Sequence, residues 1–87
     1  MKYIVENHVA TQGMLDGIEP WGDISDNYVG DYIEAESPIK AIHIALEYLQ
    51  EQAHENGFEG EIDYDAETLT FKHKQYYNFK AKELERM

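Results

Sequence analysis

The sequence contains no cysteine, and this absence excludes several kinds of site at once. Without thiols there is no disulfide framework, no thiolate nucleophile and none of the cysteine ligands of the usual structural zinc sites. Serine is scarce as well, because Ser25 and Ser37 are the only two in the chain. The four histidines lack the H-E-x-x-H spacing of a catalytic metal site. We therefore expect no enzyme activity, no catalytic residue, no metal and no cofactor.

Long hydrophobic runs are also missing. A membrane-spanning helix needs about 18 or more apolar residues in succession, and no such run occurs. At the N-terminus, Glu6 interrupts the apolar residues before they reach the length of a signal-peptide core. We therefore expect a cytoplasmic protein that does not bind membranes. With 87 residues, of which 43% are apolar, the chain is expected to fold as a single domain over residues 1–87.

Basic residues are nearly absent from most of the chain. From residue 3 to residue 71 there are 16 Asp and Glu and a single base, Lys40, and the net charge of the whole chain is −11. Such one-sided charge attracts basic partners and repels nucleic acid and anionic membranes. We therefore expect a protein partner rich in Lys and Arg, and no direct binding of nucleic acid.

The pattern of apolar residues predicts several strands. Residues 18–27 read as an irregular segment, and the C-terminal residues 76–87 fit either a strand or a frayed helix. The remaining strand-like segments are 2–9, 28–36, 62–64 and 69–73. The last two form a hairpin joined by residues 65–68.

One helix is predicted from local signals at both of its ends. Ser37 is a favoured N-cap, Pro38 suits the first helical position, and Asn56-Gly57 is typical of a helix end. The apolar stripe between them consists of Ala41, Ile42, Ala45, Leu46, Leu49 and Ala53. Ile44 and Tyr48 flank the stripe and either widen the buried face or form an exposed apolar patch. The element order predicts a small two-layer α+β domain: an antiparallel sheet of four or five strands with one helix, about residues 37–56, packed on one face.

Acidic residues occupy every second position from residue 59 to residue 67. On a strand, alternate residues share a face about 6.6 to 6.8 Å apart, which is close to two phosphate steps of about 3.4 Å along a nucleic-acid strand. The segment is thus a candidate phosphate mimic, although the turn near Asp65 is expected to bend its end. The alternative is that these acids only mark the solvent face of a half-buried strand. We call this set the acidic ladder: Glu59, Glu61, Asp63, Asp65 and Glu67.

A second group of acids surrounds the only tryptophan, Trp21. A partly exposed tryptophan ringed by polar groups is typical of an interface anchor, so Trp21, Asp23 and Asp26 are candidate partner-binding residues. The alternative is that Trp21 covers a small core. The other acids of this group are Asp16, Glu19 and Asp31.

The C-terminal lysines have two interpretations. One is that basic and aromatic residues alternate, as in single-strand nucleic-acid binders, although the rest of the molecule would repel that ligand. The residues are Lys72, Lys74, Lys80 and Lys82 with Tyr76, Tyr77 and Phe79. Lys72 and Lys74 are instead expected to face the acidic ladder across the hairpin, where opposite charges form favourable pairs.

In size, charge, lack of cysteine and element order, the whole chain resembles the small acidic proteins with which bacteriophages and mobile elements block host nucleic-acid machinery, the anti-CRISPR and anti-restriction nucleic-acid mimics. The strand-to-helix join at residues 32–38 also occurs in antitoxins. The resemblance implies a non-catalytic inhibitor that binds a basic bacterial nucleic-acid-binding protein, such as a CRISPR effector or a restriction enzyme. The alternative is an antitoxin-like or adaptor module that binds through Ile44, Tyr48 and Trp21, with its acids serving solubility. Formation of a homodimer stays open.

Overall fold

A computed structural model describes residues 1–18, 25–30, 32–71 and 74–84 of the chain. Its strands form one antiparallel sheet in the order β2-β1-β6-β5-β4, and α2 packs on one face, so the predicted α+β architecture is confirmed. The elements in chain order are β1 (Lys2–Thr11), α1 (Gln12–Leu15), β2 (Ser25–Tyr28), β3 (Ile33–Glu34), α2 (Pro38–Glu55), β4 (Gly60–Asp63), β5 (Thr68–Phe71) and β6 (Lys74–Glu83).

The short strands β2 and β3 share one position in the sheet. β2 pairs with residues 6–9 of β1, and β3 pairs with Lys2 and Tyr3 along the same edge. The sheet therefore has five strand positions, as predicted. The interpretation of residues 18–27 as irregular is wrong for residues 25–27, because their strand is defined by pairing with β1 and not by apolar alternation of their own. The predicted strand over 28–36 is interrupted between Tyr28 and Ile33.

Helix α2 begins and ends where the sequence predicts. The Ser37 Oγ accepts a hydrogen bond from the backbone N–H of Lys40 at 3.2 Å, and Pro38 opens the helix. At the other end Gly57 adopts φ +86°, a left-handed conformation that costs glycine little. The N–H of Phe58 then bonds to the Ala53 carbonyl at 2.8 Å, which completes a Schellman motif.

The core lies between α2 and the sheet. Leu46 on the helix and Val5 and Leu69 on the strands are fully buried, and most of the predicted helix stripe faces them. At about 25 cal/mol per Å² of apolar surface, such side chains supply the main stabilising term of the fold. Ile44 and Tyr48 remain 41% and 47% exposed, so they form the exposed apolar patch that the sequence left as one alternative.

A β-bulge organises the C-terminal strand. The register between β1 and β6 shifts after Glu6, which pairs with Lys80, so that His8 pairs with Tyr77. Asn78 takes φ +53° within the shift. Because the extra residue reverses the alternation, Phe79 points into the core and is buried, whereas Tyr77 lies on the opposite face beside His8. The C-terminal segment is therefore a strand as far as Glu83.

Helix α1 is a single turn at the end of β1, where the sequence indicates only turns. Thr11 caps it by accepting the N–H of Met14 at 3.3 Å, and Met14 is buried. Neither helix in the described residues has the length and apolarity that a membrane crossing requires.

Candidate functional site

Exposed carboxylates from the helix, from a loop, from a strand and from a turn gather around β4, which is the last strand of the sheet. Gln50 on α2 donates to the Gly60 carbonyl at 2.9 Å, and this contact holds the helix beside the start of β4. We call this group the acidic edge: Glu47, Glu51, Glu59, Glu61, Asp63 and Asp65.

Two open grooves lie on either side of β4. The helix-side groove, of about 890 Å³, is lined by Glu47, Glu51 and Glu59, and it extends around the edge of β4 to Glu61. The groove on the face of the sheet opposite to α2, of about 670 Å³, is lined by Glu61, Asp63 and Asp65 among others. Neither groove has a lysine or arginine among its described lining residues. Both faces of this end of the molecule are therefore acidic.

The acidic ladder is straight only over Glu61 and Asp63. These two share the face of β4 that is turned away from the helix, and Glu59 precedes the strand. The bend expected near Asp65 occurs, because Oδ1 of Asp63 accepts the backbone N–H groups of Asp65 and Ala66, each at 3.0 Å. Glu67 closes the turn with φ +53° and is half-buried.

The lysine expected to neutralise the ladder lies elsewhere. Glu61 pairs with Thr70 and Asp63 with Thr68 across the hairpin. Lys74 begins β6 and does not belong to the hairpin arm, so its predicted pairing with the ladder is wrong; Lys72 lies outside the described residues. Among the described residues, no ion pair involves the acidic edge.

A small cluster fixes the turn after β4 to the helix. The hydroxyl of Tyr64 donates to Oε1 of Glu47 at 3.1 Å, and the ring of His43 meets the Tyr64 ring edge-on at 5.0 Å. The pKa of Tyr64 is raised above its ordinary value of 10.0, first by partial desolvation of the phenol and then by the hydrogen bond and negative charge of Glu47. The cluster couples the turn to the helix-side half of the acidic edge.

The second acidic group is not assembled by the described residues. Trp21 and Asp23 lie outside them. Asp26 is placed on β2 by its backbone pairing with His8, at the edge of the sheet opposite to β4. The partner-binding roles of these three residues stay predictions.

Glu47 and Glu51 also belong to the site, although the alternation of acids in the sequence did not predict them. They sit one helical turn apart on the polar face of α2, and that spacing was the available signal. Only the packing of the helix against β4 joins them to Glu59 and Glu61.

The exposed apolar patch of Ile44 and Tyr48 lines a cleft of its own. Ile44 and Tyr48 of α2 line it together with Tyr32 and Ile33, and its volume is about 140 Å³. It lies next to β3, at the opposite end of the sheet order from β4. This cleft is separate from the acidic edge.

The exposed carboxylates of the acidic edge can bind a ligand by charge and by accepting hydrogen bonds. In the described part of the chain, no three His, Asp or Glu side chains are grouped so that they could hold a metal ion. Comparisons of this chain with protein-family models, with curated proteins and with solved structures found no match.

Proposed function

We propose that this protein is a non-catalytic inhibitor that occupies the basic nucleic-acid-binding groove of a bacterial nucleic-acid enzyme, in the manner of an anti-CRISPR-type nucleic-acid mimic. Its action is occupancy of that groove in the host cytoplasm. The partner would be a CRISPR effector, a restriction enzyme or a comparable basic protein.

The observation that carries the proposal is the acidic edge, which forms no ion pair with the basic residues that the structure describes. Carboxylates from α2, β4 and the following turn line both sides of one sheet edge, and no described basic residue pairs with them. Keeping so many like charges together costs self-repulsion, and a basic partner offsets that cost on binding. Electrostatic complementarity of this kind speeds association and excludes acidic competitors.

The acidic edge supports this proposal through more than one row of charges. Glu61 and Asp63 reproduce the spacing of about two phosphate steps on β4. Glu47 and Glu51 add a second row on α2, which lies on the helix side of the sheet. Rows of anionic groups on two sides of one sheet edge are a closer match to the two charged strands of a nucleic-acid duplex than a single row of carboxylates.

The test is capture of partners from bacterial lysate with two matched variants. The edge variant carries Glu51→Gln, Glu59→Gln, Glu61→Gln and Asp65→Asn. The distal variant removes the same number of charges from exposed acids outside the acidic edge, by Asp16→Asn, Glu34→Gln, Glu36→Gln and Glu83→Gln. Captured proteins are identified by mass spectrometry and tested for competition between the native chain and nucleic acid.

A nucleic-acid enzyme captured by the native chain and the distal variant, but lost with the edge variant, is the expected result. Its affinity should fall steeply as salt rises from about 0.01 M to about 1 M, because the Debye length shrinks from about 30 Å to about 3 Å. The same partners with the edge variant, or an affinity independent of salt, would contradict the proposal.

A second candidate function is supported by the apolar cleft. Ile44 and Tyr48 stay exposed beside Tyr32, which suits an antitoxin-like or adaptor module that binds one protein through apolar contacts. For this candidate, Tyr48→Ala abolishes capture and the edge variant leaves capture intact. The two candidates therefore predict opposite results from the same experiment.

A further inference from the structure

Strand β4 has one paired edge and one free edge. Ile62 pairs with Leu69 of β5, and no other strand of the described residues lies beyond β4. The Gly60 carbonyl accepts its hydrogen bond from Gln50 and so points away from β5. Because alternate residues of an antiparallel strand direct their backbone groups to opposite edges, the N–H and C=O of Ile62 also point to the free edge. They have no backbone partner there among the described residues.

A free strand edge can pair with a strand of another chain, and proteins usually block such pairing where it serves no function. At β4 the acidic residues discourage some strands and not others. A second copy pairing through its own β4 would bring Glu61 and Asp63 of both copies together, and like charges across a strand pair are destabilising. A segment rich in Lys and Arg would meet opposite charges instead. The charge around β4 therefore rejects self-pairing and favours a basic strand.

The two grooves fit the side chains of such a strand. Side chains of an added strand alternate between the two faces of the sheet. One set would enter the helix-side groove near Glu47 and Glu51, and the other would enter the opposite groove near Glu61 and Asp63. Side chains on both faces of the added strand would thus meet carboxylates. A single row of acids on one face of β4 would reach only one set of them.

We infer that an extended segment of the partner, rich in Lys and Arg, binds by adding to the free edge of β4 as a new strand. This inference rests on the proposed function and specifies how its partner is held. Backbone hydrogen bonds to Ile62 supply register, and the acidic edge supplies selectivity for basic side chains. Strand addition is an established way of binding extended peptides in which main-chain bonds give affinity and side-chain sites give specificity.

The test uses the full chain and a synthetic peptide of about eight residues, close to the usual length of a strand, with Arg or Lys on both of its faces. A matched peptide has the same sequence and charge, but its backbone amides are N-methylated and cannot donate. We expect the unmodified peptide to bind about tenfold more tightly or better, as the loss of a few hydrogen bonds implies. We also expect it to slow hydrogen exchange at the Ile62 amide, while amides of β2 at the opposite edge keep their rates.

Three results would overturn strand addition. The first is equal affinity for the two peptides, with both lost in the edge variant; this shows binding by charge alone and leaves the proposed function in place. The second is protection of β2 amides in place of Ile62. The third is no binding of either peptide. Failure of the proposed function itself is seen in a different measurement, namely unchanged lysate capture by the edge variant.

Discussion

The hydroxyl of Tyr64 donates to the carboxylate of Glu47 at 3.1 Å, across 17 residues of sequence. This bond fastens the turn that follows β4 to the middle of α2, and His43 packs its ring against the same tyrosine. Asp65 lies in that turn, and Glu47 belongs to the helix-side groove. The two halves of the acidic edge are thereby held in one geometry.

Tyr64→Phe should change the response of the fold to alkaline pH. The pKa of Tyr64 is raised in the folded chain, by desolvation and by Glu47, so the folded state keeps this proton at a pH where the unfolded state loses it. The free energy of unfolding of the native chain should therefore fall as pH rises from about 10 through the raised pKa. The variant should lack this component. Urea unfolding from pH 8 upward measures it, and identical profiles for both chains would contradict it.

Glu47→Gln is the matched control for this titration. The glutamine can still accept the hydrogen bond through its amide oxygen, but it lacks the negative charge that opposes ionisation of Tyr64. Its unfolding free energy should therefore decline with pH less steeply than that of the native chain. A slope steeper than native would show that the charge of Glu47 does not act on Tyr64.

The helix was predictable because its signals are local. Ser37, Pro38 and Gly57 each satisfy a backbone requirement within one turn of an end of α2, so the sequence alone predicts where the helix begins and ends.

The C-terminal strand was ambiguous because its bulge depends on pairing with β1. Tyr77, Phe79 and Ala81 alternate in sequence, yet the extra residue places Tyr77 on the opposite face. The faces of Tyr77 and Phe79 depend on pairing with β1, which is distant in sequence, so the residues of β6 alone do not predict them.

The left-handed conformation of Asn78 gives a direct test of the bulge. Asn78 is exposed and has φ +53°, a region that asparagine tolerates and that β-branched residues avoid. Asn78→Val should therefore lower the free energy of unfolding by about 1 to 2 kcal/mol. Asn78→Gly, the matched control, should leave it nearly unchanged, because glycine adopts this conformation without steric cost. Equal stabilities of the two variants in urea unfolding would show that the bulge is absent.

Asn7 faces the bulge from β1 and presents an unusual polar group to the interior. It is 1% exposed, and neither Oδ1 nor Nδ2 has a hydrogen-bond partner among the described residues. Burial of unsatisfied polar atoms costs about 1 to 3 kcal/mol. Asn7→Leu, which has nearly the same branched shape, should recover part of that cost and raise the free energy of unfolding.

Asn7→Asp should have the opposite effect at neutral pH. It places a carboxylate at the same buried position, where desolvation of the charge is strongly unfavourable. Thermal unfolding of both variants and of the native chain shows whether each substitution raises or lowers stability. If Asn7→Leu instead lowers the free energy of unfolding by more than about 1 kcal/mol, the Asn7 amide is hydrogen-bonded in the native chain, and the prediction is wrong.

The site was only partly predictable for a related reason. The alternation of acids from residue 59 to residue 67 correctly located Glu61 and Asp63 on one face of a strand. Glu47 and Glu51 entered the site through the packing of α2 beside β4, which the sequence pattern does not show. The expectation that Lys74 faces the ladder failed because the chain leaves the hairpin before Lys74 and starts β6 there.

The edge variant should be more stable than the native chain at low salt, even though it is expected to lose its partner. Glu51, Glu59, Glu61 and Asp65 are exposed like charges with no described cation to offset them, so neutralising them relieves repulsion worth about 0.2 to 1 kcal/mol. The gain should vanish near 1 M salt, where the Debye length is about 3 Å.

The distal variant should show no such gain, because it breaks two favourable ion pairs while removing the same charge. Glu34 lies 3.7 Å from the N-terminal ammonium group, and Glu36 lies 3.2 Å from the Lys40 Nζ. Urea unfolding of the three chains at low and high salt separates these effects. Equal stabilisation of both variants would mean that only the total charge matters. A gain confined to the edge variant would mean that the chain tolerates local repulsion at β4, as expected for a surface that is neutralised by a basic partner.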